Sequence, residues 1–135
     1  MHDQLTHRQS VNADSDVVGA RQNGRAIAAN IGFGRADQAL IATAISELAR
    51  NIVNYAERGE INIAKVTRGR RIGVQVIARD AGPGINDLEA AMTDGYSTAN
   101  SLGLGLPGTR RIVDEFDIQS APGSGVTVKI IKWLR

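Results

Sequence analysis

The hydrophobic period of the chain changes once, and the change divides it. Val17, Ala20, Gly24, Ile27, Ala28 and Ile31 recur at the three- and four-residue steps of one helical face. They follow Asp14, Ser15 and Asp16, residue types that suit a helix start. The glycines at 32 and 34 stop that helix. A second helix begins near Arg35 to Asp37 and runs to Ala56. It carries Ile41, Ala44, Ile45, Leu48, Ile52 and Tyr55 on its apolar face, with Arg58-Gly59 at its end. The period then becomes two. Ile61, Ile63 and Lys65-Val66 read as a strand, Arg68-Gly69-Arg70 as a tight turn, and Ile72, Val74, Val76 and Ala78 as one face of the next strand.

A turn over Asp80–Gly84 follows, then a short helix over Asn86–Thr93, a long loop over 95–108 and a helix over Thr109–Glu115. Two more strands, Phe116–Ser120 and Val126–Ile131, flank a turn at Pro122–Gly125, and residues 8–13 suit a short edge strand. The order predicts a single domain over 1–135 of the α+β class. It is a two-layer α/β sandwich with a mixed or antiparallel sheet and helices on one face.

Composition removes several chemistries. The chain of 135 residues has no cysteine, which excludes disulfides, thiolate metal sites and a cysteine nucleophile. Its two histidines, His2 and His7, lie near the N-terminus, against a Ser-His-Asp triad or a histidine-rich metal site. A net charge of +2 with 4% aromatic residues argues against a nucleic-acid surface. No apolar run reaches membrane-spanning length, and MHDQLTHRQS lacks the apolar segment of a secretory signal, so the expected location is cytoplasmic.

Three constellations carry chemistry. On the second helix, turning about 100° per residue from Ile41, the residues Glu47, Asn51 and Asn54 fall at about 220–280°, beside the apolar face, with Arg50 and Glu57 on the far side. Glu47 and Asn51, at i and i+4, place a carboxylate and a carboxamide at the rim of the core. The carboxylate can take a proton from an attacking hydroxyl, and the amide oxygen can ligate Mg²⁺. Next, Asp80-Ala81-Gly82-Pro83-Gly84 directly follows a strand. Its carboxylate can accept from the exocyclic amine of adenine, while Gly82 and Gly84 let backbone approach a flat ring. Last, Gly103-Leu104-Gly105-Leu106-Pro107-Gly108 opens a helix, and glycine-rich backbone feeding a helix N-terminus is an anion seat. The strand that a Rossmann fingerprint needs before it is missing, as is the lysine of a Walker loop. The polar 95–102 segment reads as a flexible lid. In this order the three make an ATP site assembled from separate parts.

These residues resemble the GHKL ATPase/kinase superfamily of gyrase, heat-shock protein 90, histidine kinases and MutL. Glu47-x-x-x-Asn51 resembles its N box, Asp80-x-Gly82-x-Gly84 its G1 box and Gly103-x-Gly105-x-x-Gly108 its G2 box. Thr127 resembles the late Gly-Thr element that closes the adenine side. The strings GFGRADQA, ISELARNI, DAGPGI, GLGLPGTRRIVDEF and IKWLR are similar to those of bacterial serine/threonine switch kinases of the stressosome. The resemblance implies a Bergerat-type ATP-binding fold and Mg²⁺-ATP-dependent phosphorylation of serine or threonine on STAS-domain scaffold proteins. It also implies a second partner activated on release. Glu47 would then be the base, Asn51 the Mg²⁺ ligand and Asp80 the adenine reader supported by Thr127. The backbone of Gly103, Leu104, Gly105, Leu106 and Gly108 would hold the phosphates. Two departures stand out: the lid at Ser97–Leu102 is short, and Asn54-Tyr55 replaces a histidine common in relatives. The rival readings are an anti-sigma factor that phosphorylates its antagonist and a nucleotide-gated binding module.

Overall fold

The structure is a computed structural model that describes residues 6–56, 58–82, 105–120, 123 and 125–135. Five strands, β1 (Thr6–Val11), β2 (Gly59–Arg68), β3 (Arg71–Asp80), β4 (Glu115–Ser120) and β5 (Val126–Trp133), form one sheet in the order β1-β2-β3-β5-β4. Among the described residues three helices join them: α1 (Asp14–Ile31), α2 (Arg35–Tyr55) and α3 (Gly105–Ile112). Every described pairing is antiparallel, so the sheet is not mixed. The β2–β3 hairpin closes on the Arg68–Arg71 pair, and Gly69 takes the left-handed conformation (φ 62°) that a two-residue turn demands.

The register sorts the side chains. Ile61 and Ile63 of β2 face Ala78 and Val76 of β3, which face Val128 and Ile130 of β5. With the strand period of two, these residues share one face. They form a single core with Val17, Ala20, Ile27 and Ala28 of α1 and Ile41, Ala44, Ile45, Leu48 and Ile52 of α2. The two helices approach closely at Gly24, where a Cβ would stand 2.1 Å from Ile45 Cδ1.

Local chemistry departs from expectation at four places. The residue before α1 is Ala13, and the cap comes from inside the helix: Asp16 Oδ2 accepts the Asn12 and Ala13 N–H groups at 2.8 and 3.1 Å. Tyr55, expected on the apolar face, is 40% exposed. Gly59 does not end α2; it opens β2, between Val11 and Asp80 of the neighbouring strands. The last helix starts at Gly105, four residues before Thr109. Gly105 (φ 69°) turns the chain into it, and Pro107 falls in the first turn, where its missing N–H costs no bond. It ends at Ile112, because the Asp114 N–H is already committed to the Ile131 carbonyl as β4 begins. The helix expected over Asn86–Thr93 and the lid over 95–102 lie outside the described residues.

Candidate functional site

Two carboxylates hold together the end of the molecule where the candidate residues meet. Glu47 lies in the middle of α2 and is only 3% exposed, because the head of α3 sits over it. Its Oε1 accepts the Gly105 N–H at 2.8 Å, and its Oε2 accepts Arg50 Nη1 at 2.8 Å. α3 is pinned at that position: Leu106 enters the core, and the fully buried Thr109 hydroxyl donates to the Gly105 carbonyl at 2.9 Å. Gly108 is buried in the same turn.

Asp80 is the last residue of β3. Its Oδ1 accepts two backbone donors, the Gly82 N–H at 3.0 Å and the Val126 N–H at 3.1 Å. One carboxylate oxygen thus fixes both the turn that leaves β3 and the start of β5. Gly125 makes that approach possible. Its φ is 78°, and a Cβ there would stand 2.2 Å from the Asp80 carbonyl oxygen. The turn also packs on the end of α2, where a Cβ at Gly82 would lie 2.6 Å from the Ala56 Cβ.

α2 therefore touches both halves of the site. Its Glu47 meets the glycine-led helix head, and Ala56 meets the Asp80 turn, nine residues or about 14 Å further along at 1.5 Å per residue. Asn51 lies between them, half-buried, one turn from Glu47. Thr127 stands apart from this group. It pairs with Arg79, so strand alternation sets it on the opposite sheet face from Ala78 and Val128. The residue that reaches Asp80 is Val126, through its backbone. Gly84, Gly103 and Leu104 lie outside the described residues. Three contributors escaped the sequence reading: Arg50, which the helical wheel put on the far side, the Val126 N–H, and Gly125. The i, i+3 spacing of Glu47 and Arg50 was the available signal for the first.

Residues 11–132 match the histidine kinase-like ATPase domain. The chain is 50% identical over 135 residues to the serine/threonine-protein kinase RsbT of Bacillus subtilis (strain 168), covering 100% of both. It is 31% identical over 100 residues to the anti-sigma F factor of Thermoanaerobacter sp. (strain X514), covering 70% of this chain and 68% of that one. The crystal structure of the RsbU and RsbW domains of a Mycobacterium tuberculosis protein superposes with a TM-score of 0.63 at 21% identity. That match covers 94% of this chain and 31% of the longer one, and it supports the fold. A glycine-led helix head seated on a buried helix carboxylate, a strand-end aspartate beside a glycine turn, and a family match spanning both lead to one conclusion: the chain belongs to the histidine kinase-like ATPase domain family.

Proposed function

We propose that this chain is an ATP-dependent protein serine/threonine kinase whose nucleotide lies along α2, between the Asp80 turn and the head of α3. The observation that carries the reading is the double engagement of α2, by Gly105 at Glu47 and by Gly82 at Ala56. It brings the head of α3 and the turn after Asp80 against one helix, which supports an anion seat at one and an amine acceptor at the other. Full-length identity of 50% to a serine/threonine-protein kinase supports the same reaction.

Each residue then has a task. Asp80 Oδ1 is committed to two backbone N–H groups, which orients the carboxylate and turns Oδ2 to the adenine amine. The first N–H groups of α3 have no partner within the helix and suit phosphate oxygens. The donor set fits Mg²⁺ carried by the nucleotide. Among the described residues no group of three or more His, Cys, Asp or Glu forms a cage, and Asn51 offers one amide oxygen. Bound with the nucleotide, Mg²⁺ would screen phosphate charge. The acceptor hydroxyl oxygen bonds to the γ-phosphorus, the bond to ADP breaks, and Glu47 takes the hydroxyl proton. Positioning and charge stabilisation supply most of the acceleration.

The acceptor in this reading is a serine or threonine on a STAS-domain scaffold protein, and release from the scaffold frees the kinase to activate a downstream partner in the cytoplasm. No described helix is long and apolar enough to cross a membrane. The 31% identity to an anti-sigma factor supports a second reading, in which the same kinase site acts on an antagonist while another face holds a sigma subunit. The test incubates the chain with Mg-ATP and a purified STAS-domain scaffold protein and maps phosphoserine and phosphothreonine by mass spectrometry. Phosphate on the scaffold is the expected result. Hydrolysis without any phosphoprotein would overturn the kinase reading, and capture of a sigma subunit would favour the second.

A further inference from the structure

The head of α3 is already occupied by an anion, and that anion belongs to the chain. Unpaired N–H groups and the positive end of the helix dipole favour negative charge at this position. Glu47 Oε1 takes the Gly105 N–H at 2.8 Å from a site 3% exposed, so the bond is charge-assisted and shielded from water. Resting on the reading of this helix head as the phosphate seat, we propose that Glu47 fills the seat in the free chain. Nucleotide phosphate displaces it from Gly105, and Arg50 is the positioning residue that keeps the displaced carboxylate at the site.

The exchange follows from donor count and charge. Gly105 has one N–H, and a carboxylate and a phosphate oxygen cannot both take it at full strength. Two anions at one helix head also repel each other. The carboxylate cannot retreat into water, because α3 covers it. Arg50 Nη1 holds the other oxygen, Oε2, at 2.8 Å, and its side chain is 30% exposed, with room to follow a rotation. The oxygen that exchanges partner is then Oε1, on the side of the carboxylate that faces the helix head. The base is thus tied to the helix head until nucleotide arrives, and the group that displaces it is the one whose transfer it assists.

Calorimetry of Mg-ATP binding to the full chain tests the competition. Removing the internal anion in Glu47→Ala should tighten binding on the order of 10-fold, and Glu47→Gln, whose amide oxygen keeps a neutral bond, by less. The Gly105 amide resonance separates bond exchange from simple loss of repulsion. It should differ between the free wild type and free Glu47→Gln, and coincide once both are saturated with nucleotide. For Arg50, Arg50→Gln should lower kcat on the order of 10-fold with KM for ATP unchanged, and Arg50→Lys should restore most of the loss. Equal or weaker binding by Glu47→Ala, or identical free-state Gly105 resonances, would overturn the exchange while leaving the kinase reading intact. An unchanged kcat in folded Arg50→Gln would overturn the positioning role. Failure of the wild type to bind Mg-ATP would remove the phosphate seat itself.

Discussion

At the Gly73 end of the β3–β5 pair, Trp133 lies on the sheet face turned away from the helices, yet it is only 1% exposed. The guanidinium of Arg71 stands 4.3 Å and that of Arg68 5.0 Å from its ring centre. Its indole N–H and Arg68 both donate to Glu115, at 3.0 and 2.7 Å. Asp114 accepts the Trp133 backbone N–H at 2.6 Å and pairs with Arg135. At the other end of the same strands, the carboxylates of Asp80 and Glu47 take backbone N–H groups from Gly82, Val126 and Gly105. One end is closed by an indole, its guanidiniums and their carboxylates packed on one another, with one carboxylate also holding a strand N–H. The other is ordered by carboxylates gripping main-chain donors, and a main-chain donor at a helix head can be handed to a ligand. The Trp133 cluster and the proposed chemistry thus sit at opposite ends of one strand pair.

That division can be broken from either side. The largest effect belongs to the site: Glu47→Gln should lose about 10²–10⁴ in phosphotransfer while retaining nucleotide, measured by phosphoprotein yield beside calorimetry. A normal transfer rate would remove the base assignment. The far end should answer in stability instead. Trp133→Ala should destabilise by about 3–5 kcal/mol in chemical denaturation, with KM for ATP unchanged while the chain is folded. An altered KM would show the two ends to be coupled.

Asp80→Asn keeps the shape and weakens both the grip on its backbone donors and recognition of an amine. ATP affinity should fall by about 1–3 kcal/mol by calorimetry. The smallest effect is pH-dependent and belongs to the exposed sheet face. Arg68 hydrogen-bonding holds the Glu115 carboxyl below its ordinary 4.5, and Arg8 does the same for Glu60. A carboxylate with a lowered folded pKa stabilises above its unfolded value, and that contribution fades as pH falls through the folded one. Thermal midpoints should therefore drop on acidification below 4.5, and less so in Glu115→Gln. Salt should weaken the difference, since both ion pairs are exposed.

The positions of the elements were legible because their causes are local. The apolar stripe of α1, the period-two runs of β2 and β3, and the glycine at the Arg68–Arg71 turn each act over a few residues. Local pattern also singled out Glu47, Asp80 and the glycine run that leads into α3 as candidates. What each carboxylate touches was not legible. The Glu47–Gly105 bond joins residues 58 apart, and the Asp80–Val126 bond residues 46 apart. Sheet register, not motif spacing, brings Val126 to Asp80 and sends Thr127 to the other face with Arg79. Trp133 lay beyond the strand read over Val126–Ile131; antiparallel pairing extends β5 to it and sets it opposite Gly73, under two guanidiniums from a hairpin about sixty residues earlier. The amino-acid order alone determined which segments are helix or strand and where the candidate chemistry lies along them, since propensity and period are short-ranged. Only the docked sheet and helices decided which carboxylate is buried, which donor it holds and which arginine answers it, since those depend on elements that meet only after the chain has closed on itself.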